Sequence, residues 1–165
     1  MIVVDQDDNE IGYKDFADLR PADIHRVAAL LLTDKKTGDL LLTQRKWDKI
    51  HDPEKWMLAA SGMVEEGESY AENIVHETEE EIGLTGLDFH AGPKEFIDGG
   101  SHRFFVQWYT AETDKQDVTI VIQEEEVEAF AWVPRAVLLK EIAENPGKFV
   151  PSLGQSLRAL GITSA

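Results

Sequence analysis

No cysteine occurs anywhere in the 165 residues of the chain. Its absence excludes disulfides, thiolate metal ligands and a cysteine nucleophile. It is compatible with the cytoplasm, which is the expected location. Basic residues are also scarce, with 16 Lys and Arg against 32 Asp and Glu and a formal net charge of −16. So acidic a chain is repelled by nucleic-acid phosphates and anionic membrane surfaces, so no nucleic acid and no membrane is expected as a partner. No apolar run approaches the ~20 residues that a membrane-spanning helix needs. The start, Met1-Ile2-Val3-Val4-Asp5, lacks the basic segment of a secretory signal. Internal repeats and low-complexity linkers are missing too. The length is that of one domain, ~100–200 residues, and a hydrophobic fraction of 42% supplies a core. One domain over residues 1–165 is the expectation.

What is present reads as strands around a few helices. Ile2-Val3-Val4 and Glu10 to Lys14 flank an Asp/Asn-rich turn and predict an N-terminal hairpin. His25–Thr33 and Leu40–Arg45 flank Lys36-Thr37-Gly38-Asp39 and predict a second strand pair. Trp47–Lys55 is polar and predicts a loop, and Trp56–Ala60 predicts a short strand. Further strands are expected at Leu87–Phe96, Arg103–Ala111, Val118–Ile122 and Val127–Val133, and helices near Arg135–Glu144 and Ser152–Leu160. The clearest helix is Ser69–Ile82. Ser69 and Glu72 form a capping box, Ala71, Ile74, Val75, Thr78 and Ile82 share a face, and Gly83 suits the position beyond the end. The fold class implied is α/β with a mixed sheet. Asp5-Gln6-Asp7-Asp8-Asn9-Glu10 begins like a calcium loop, but Glu10 stands where glycine is needed and Phe16 where glutamate is needed. It reads as a polar hairpin turn.

Acidic residues are unevenly spread. Glu65, Glu66, Glu68, Glu72, Glu77, Glu79, Glu80 and Glu81 crowd into one stretch, and Glu124, Glu125, Glu126 and Glu128 into another. On a helix Glu77, Glu80 and Glu81 fall within about 100° of one another, opposite the apolar stripe. Like charges so spaced destabilise a helix. Hard cations such as Mg²⁺ take carboxylate oxygens and neutralise such a cluster. The alternative is a solvated acidic face.

The wider spacing discriminates between these. Gly62-Met63-Val64-Glu65-Glu66-Gly67-Glu68, then seven residues, then His76-Glu77-Thr78-Glu79-Glu80-Glu81-Ile82-Gly83-Leu84 closely resembles the Nudix box. Gly62, Glu68, Glu77, Glu80, Glu81, Gly83 and Leu84 match that pattern, whereas His76 stands at the family's arginine and Thr78 at its hydrophobic position. Outside the box, Asp5 to Lys14, Ile24 to Ala29, Leu40 to Lys46, Pro53 to Trp56 and Asn145 to Pro151 are similar in order to the Nudix branch of isopentenyl-diphosphate isomerase. In the isomerases the strand before the box carries a catalytic cysteine and then a metal-binding histidine. This chain has Ala59-Ala60-Ser61-Gly62-Met63 there, which speaks for a hydrolase.

The resemblance implies an α/β/α sandwich and Mg²⁺- or Mn²⁺-dependent hydrolysis of a small-molecule diphosphate. It implies Glu77, Glu80 and Glu81 as metal ligands, with the Ser61 carbonyl, and Glu68 as a loop brace or approach to a second ion. Glu125 or Glu126 is the candidate outer ligand or base. Arg45 and Lys46, at the end of a strand, are candidates to meet phosphate. Gly62, His76 and Gly83 shape the box, with His76 expected to brace Glu77. His25 aligns with a metal-binding histidine of the isomerases but lacks its partner, so a structural role is expected. Relatives frequently dimerise, which makes a homodimer the assembly to test. A noncatalytic ligand-binding domain and, less favoured, an isopentenyl-diphosphate isomerase are the other readings.

Overall fold

Ile24–Asp34 (β3) is apolar on both faces because both are covered. Ala28, Leu30 and Leu32 enter one hydrophobic cluster, and Ala29 and Leu31 the opposite one. The computed structural model describes residues 1–98 and 102–163. Around β3 the elements are β1 (Ile2–Val4), β2 (Glu10–Tyr13), β4 (Leu40–Arg45), β5 (Trp56–Leu58), β6 (Ala60–Met63), α1 (Tyr70–Ile82), β7 (His90–Asp98), β8 (Arg103–Thr113), β9 (Val127–Val133), α2 (Arg135–Glu144) and α3 (Leu153–Ala159). Ile74 and Ile82 of α1 pack on one face with Leu30, Leu32 and Leu41. Leu138 of α2 and Leu153 and Leu157 of α3 pack on the other with Leu31, Leu40, Leu42 and Trp108. The architecture is the expected α/β/α sandwich around a mixed sheet, with the N-terminal hairpin in place.

The sheet is split. β3 runs parallel to β8 from Ile24↔Arg103 to Asp34↔Thr113. Although β3 and β4 are joined by a short turn, they pair only at Thr33↔Leu40. The strand pair expected from sequence is therefore open along nearly its whole length. β6 fills the free edge of β3, and β5 pairs with β4. The single strand expected at Trp56–Ala60 is thus two strands on different partners, and Ala59 makes the crossing. Residues of β3, β5, β6 and β8, with Arg45 at the end of β4, line the cavity described below.

The segment Val118–Ile122, expected as a strand, pairs with no strand among the described residues. Val121 N–H donates to the Ile82 carbonyl (3.0 Å) and Gln123 N–H to the Glu81 carbonyl (3.1 Å). Its donors cap the exposed carbonyls at the end of α1 and are unavailable to a ladder. Gly83 makes this close approach feasible. Its φ is +69°, and a Cβ there would lie 2.9 Å from the Val121 Cβ.

The N-terminal hairpin is pinned by Asp8 at its turn. The carboxylate accepts Arg26 Nε (2.7 Å), the Tyr70 hydroxyl (3.2 Å) and Lys94 Nζ. Asp5 accepts the Asp7 and Asn9 amides, so the acidic run is a hairpin turn. Among the described residues, no helix is long and apolar enough to cross a membrane.

Candidate functional site

The three helical glutamates do not share one solvated face. Glu80 is exposed, Glu77 is half-buried, and Glu81 is only 7% exposed. Local structure explains the difference. α1 begins at the Ser69 cap, where Glu72 completes the capping box, and Ile74, Thr78 and Ile82 set its rotation against the core. The Thr78 hydroxyl donates to the Ile74 carbonyl (2.6 Å), which satisfies it one turn back. Val75 and Ala71, expected on the same apolar face, stay exposed, Val75 at 42%. With this rotation Glu81 faces β6, and the Ser61 N–H donates to its Oε2 (3.0 Å). Glu77 lies against Gly62, where a Cβ would stand 1.8 Å from Glu77 Oε1. Any larger residue at 62 would displace that carboxylate.

Burial and mutual repulsion make Glu77 and Glu81 costly to ionise. Burial, then the charge of Glu80, pushes Glu77 up to about 7, although Asn73 opposes the shift. Burial, then the charge of Glu77, pushes Glu81 up to about 8 against the Ser61 hydrogen bond. Each carboxylate costs free energy to ionise because water is excluded and like charge is near. As arranged, no three acidic or imidazole side chains among the described residues already enclose one point. The donor set still fits a hard divalent cation: carboxylate oxygens that form no ion pair among the described residues, with Arg45 only partly offsetting the charge of Glu81.

Glu68 is held beside this pair. Its carboxylate accepts Asn73 Nδ2 (3.1 Å) and the Glu65 N–H (3.1 Å), and His76 Nδ1 lies 2.6 Å from its other oxygen. Burial alone would raise the Glu68 pKa, but these partners bring it below the ordinary value. The hydrogen bond to Glu68 raises His76 in turn. His76 is therefore placed on Glu68 and not on Glu77. Sequence reasoning missed Asn73, which is buried. Its Nδ2 also donates to the Met63 carbonyl (3.2 Å) and reaches Glu77 Oε1 at 3.5 Å. Its signal was the spacing, four residues before Glu77 on the same side of the helix.

Glu77, Glu80 and Glu81 line a cavity of about 1270 Å³, together with Ser61, Gly62, Arg45, Glu125 and Glu126. Arg45 Nε donates to the His51 carbonyl (3.0 Å), which fixes the guanidinium at the cavity wall. Lys46 does not line the cavity, and its Nζ donates to the Glu124 carbonyl. Glu126 pairs with Lys49. Glu125, also on the wall, makes no hydrogen bond or ion pair among the described residues. His25 lines the far part of the cavity, and burial, then the charge of His102, lowers it to about 4. Gly83 stands behind the site, at the end of α1.

The NUDIX domain family matches residues 23–153. An uncharacterized Nudix hydrolase of Pseudomonas aeruginosa is 28% identical over 155 residues, covering 94% of this chain and 89% of its own. An isopentenyl-diphosphate Delta-isomerase of Cereibacter sphaeroides is 33% identical over 122 residues, covering 70% of this chain and 68% of its own. A prenyl-diphosphate phosphatase of Methanosarcina mazei is 27% identical over 160 residues, covering 93% and 90%. A solved Deinococcus radiodurans protein superposes with a TM-score of 0.80 at 20% identity, covering 95% of this chain and 96% of that one.

Proposed function

The chain belongs to the Nudix family, and from that premise we propose that it is a metal-dependent hydrolase cleaving the bond between two linked phosphates. The observation that carries the reading is half-buried Glu77 beside buried Glu81, both lining an open cavity and neither in an ion pair with a base among the described residues. Ionising the two carboxylates opposes folding, and a bound cation would offset that cost. Glu77, Glu80 and Glu81 would hold Mg²⁺ or Mn²⁺, with the Ser61 carbonyl as a candidate further donor. The ion, when bound, offsets charge on the phosphoryl oxygens and acidifies water.

The chain's own groups do the rest. Ser61 N–H fixes one oxygen of Glu81 and so orients the carboxylate towards the cavity. Asn73 and His76 hold Glu68 at the edge of the cage, where it braces the loop. Arg45 faces the cavity as a fixed cation and takes a phosphate oxygen, and Lys46, turned to a backbone carbonyl, does not. Glu125, which makes no hydrogen bond or ion pair among the described residues, is the base that accepts a proton from the attacking water, and Glu126 is an outer ligand. Water then forms the new bond to one phosphorus, and the bridging oxygen leaves with the other phosphate. Isomerisation of isopentenyl diphosphate needs proton exchange at carbon, and Ala59, Ala60 and Ser61 offer no thiol for it.

The test is a screen of organic diphosphates with Mg²⁺ in ¹⁸O-water, with products identified by mass. Cleavage with one ¹⁸O in one phosphate product is expected, and no dimethylallyl diphosphate from isopentenyl diphosphate. Tight metal and diphosphate binding without product, across the screen, would instead establish a noncatalytic binding domain.

A further inference from the structure

Glu125 lies on the cavity wall with no hydrogen bond or ion pair of its own among the described residues. Nothing grips its carboxylate, so its reach is set by where the backbone puts it. That backbone is a turn. Glu126 N–H and Val127 N–H both donate to the Gln123 carbonyl (2.9 Å each), which leaves Glu124 and Glu125 at the tip. Both tip residues are exposed, and with Glu126 they make three consecutive carboxylates. An exposed tip of like charges is mobile unless something ties it down.

Ties are present, and two of them come from one residue. Gln123 N–H donates to the Glu81 carbonyl (3.1 Å), which fixes the start of the turn to the end of α1. Lys46 N–H donates to the Glu126 carbonyl (3.1 Å), and Lys46 Nζ donates to the Glu124 carbonyl. The carbonyls on either side of Glu125 are thus both held by Lys46, one through its backbone and one through its ammonium. Lys49 adds an ion pair to the Glu126 carboxylate.

The sheet delivers Lys46 to this place. It follows Arg45, the last residue of β4, which pairs with β9. The register steps past Glu128 between Gln44↔Ala129 and Arg45↔Val127. Such an irregularity re-aims a strand beside a site. Beyond it the Lys46 amide still meets Glu126, and the side chain reaches across the tip to Glu124. An ammonium on a carbonyl makes a charge-assisted hydrogen bond, and here it also brings one positive charge to an acidic tip.

We propose that Lys46 is a positioning residue for hydrolysis, which brackets the turn on both sides of Glu125 and so holds that carboxylate at the cavity wall. The inference rests on Glu125 being the base of the proposed hydrolase. Misplacing a catalytic group by ~1 Å costs up to about a hundredfold in rate, so a base on an untied tip is a poor one.

The experiment compares the parent with Lys46→Met, Lys46→Arg, Glu125→Gln and the double variant of Lys46→Met with Glu125→Gln. Each is loaded with Mg²⁺ and given ADP-ribose, UDP-glucose and isopentenyl diphosphate, and the substrate that the parent cleaves fastest is followed. Lys46→Met should lower kcat about tenfold and leave KM within about twofold. Lys46→Arg still carries a donor for the carbonyl and should bring kcat back to within about threefold of the parent. Glu125→Gln should lower kcat about a hundredfold, and adding Lys46→Met to it should lower kcat by less than about twofold more. Independently of turnover, amide hydrogen exchange in Lys46→Met should speed up about tenfold in residues 123–127 and stay unchanged in α1. A rise in KM at unchanged kcat would overturn the inference, because Lys46 would then be meeting substrate. Equal losses from Lys46→Met with and without Glu125, or undiminished kcat in Glu125→Gln, would also overturn it and leave the hydrolase reading standing. If none of the three compounds is cleaved, exchange alone decides whether Lys46 holds the turn, and unchanged exchange at residues 123–127 overturns the inference. Lys46→Gln takes the place of Lys46→Met if that variant does not fold.

Discussion

His76 carries its effect through one neighbour. Its Nδ1 stands 2.6 Å from Glu68, and Glu68 in turn holds the Glu65 N–H and Asn73. His76→Ala should lower turnover about tenfold at fixed Mg²⁺, a loss typical of removing a group that orients ligands. The thermal midpoint should move little, because the ring is exposed. His76→Arg should keep turnover, and should keep it further into alkaline pH, where histidine loses the proton that its raised pKa retains. If alanine matches the parent while arginine abolishes activity, the ring does something other than hold Glu68. The glutamate spacing was legible in the sequence because a helix has a fixed period. The partner of His76 was not, because the loop carrying Glu68 folds back onto the helix by a path no local pattern encodes. Burial of Glu81 was equally hidden, since periodicity assigns a carboxylate to the wet face.

The N-terminal hairpin acts on the box as a strut. Ile2 N–H donates to the Val64 carbonyl, Val64 N–H to the Arg26 carbonyl, and the Met1 ammonium to Glu65, so the loop leading to Glu68 is held from behind. Asp8 locks the arrangement, bonding Arg26, Lys94 and Tyr70, the first residue of α1, with a side chain only 8% exposed. Asp8→Ala leaves Lys94 and Arg26 facing each other, with Glu10, 3.1 Å from Arg26 and exposed, as the remaining counter-charge. It should cost about 2–4 kcal/mol by denaturant unfolding, and Asp8→Asn somewhat less. A loss below about 0.5 kcal/mol, the range of a surface substitution, would mean that the hairpin is not clamped there. The hairpin itself was readable from its Asp/Asn turn. The opening between β3 and β4 was not, because a short turn between two apolar runs ordinarily means a ladder, and only the competition of β6 and β8 for β3 removes it. Val118–Ile122 misled for a related reason: Val118 and Ile120 pack on the core, but the Val121 amide, like that of Gln123 just beyond, is spent on the end of α1.

For the whole molecule, a net charge of −16 places a cation-seeking cage within an already acidic chain. Glu77 and Glu81 have folded pKa values raised to about 7 and about 8 from 4.5. A carboxyl raised in this way favours the folded state while protonated. That stability is fully present below the unfolded value and is lost as pH climbs through the folded ones. Metal-free protein should therefore lose roughly 2–5 kcal/mol between about pH 5 and about pH 8.5 relative to Glu81→Gln, at ~1.4 kcal/mol per pKa unit. Saturating Mg²⁺ at about pH 8 should restore about 2–3 kcal/mol to the parent, by linkage at ~100 times Kd, and little to the variant. Parallel pH profiles, or equal response to Mg²⁺, would mean that the pair is not a cation site.

The central claim is that these carboxylates make a metal-dependent hydrolase. The most direct measurement is the rate of phosphate-bond cleavage by parent and Glu81→Gln with Mg²⁺, after excess chelator, and after Mg²⁺ is returned. The account predicts turnover by the parent, its loss in chelator, its recovery on return of the metal, and a rate about a hundredfold lower or less in the folded variant. Undiminished cleavage in chelator, or by Glu81→Gln, would contradict it.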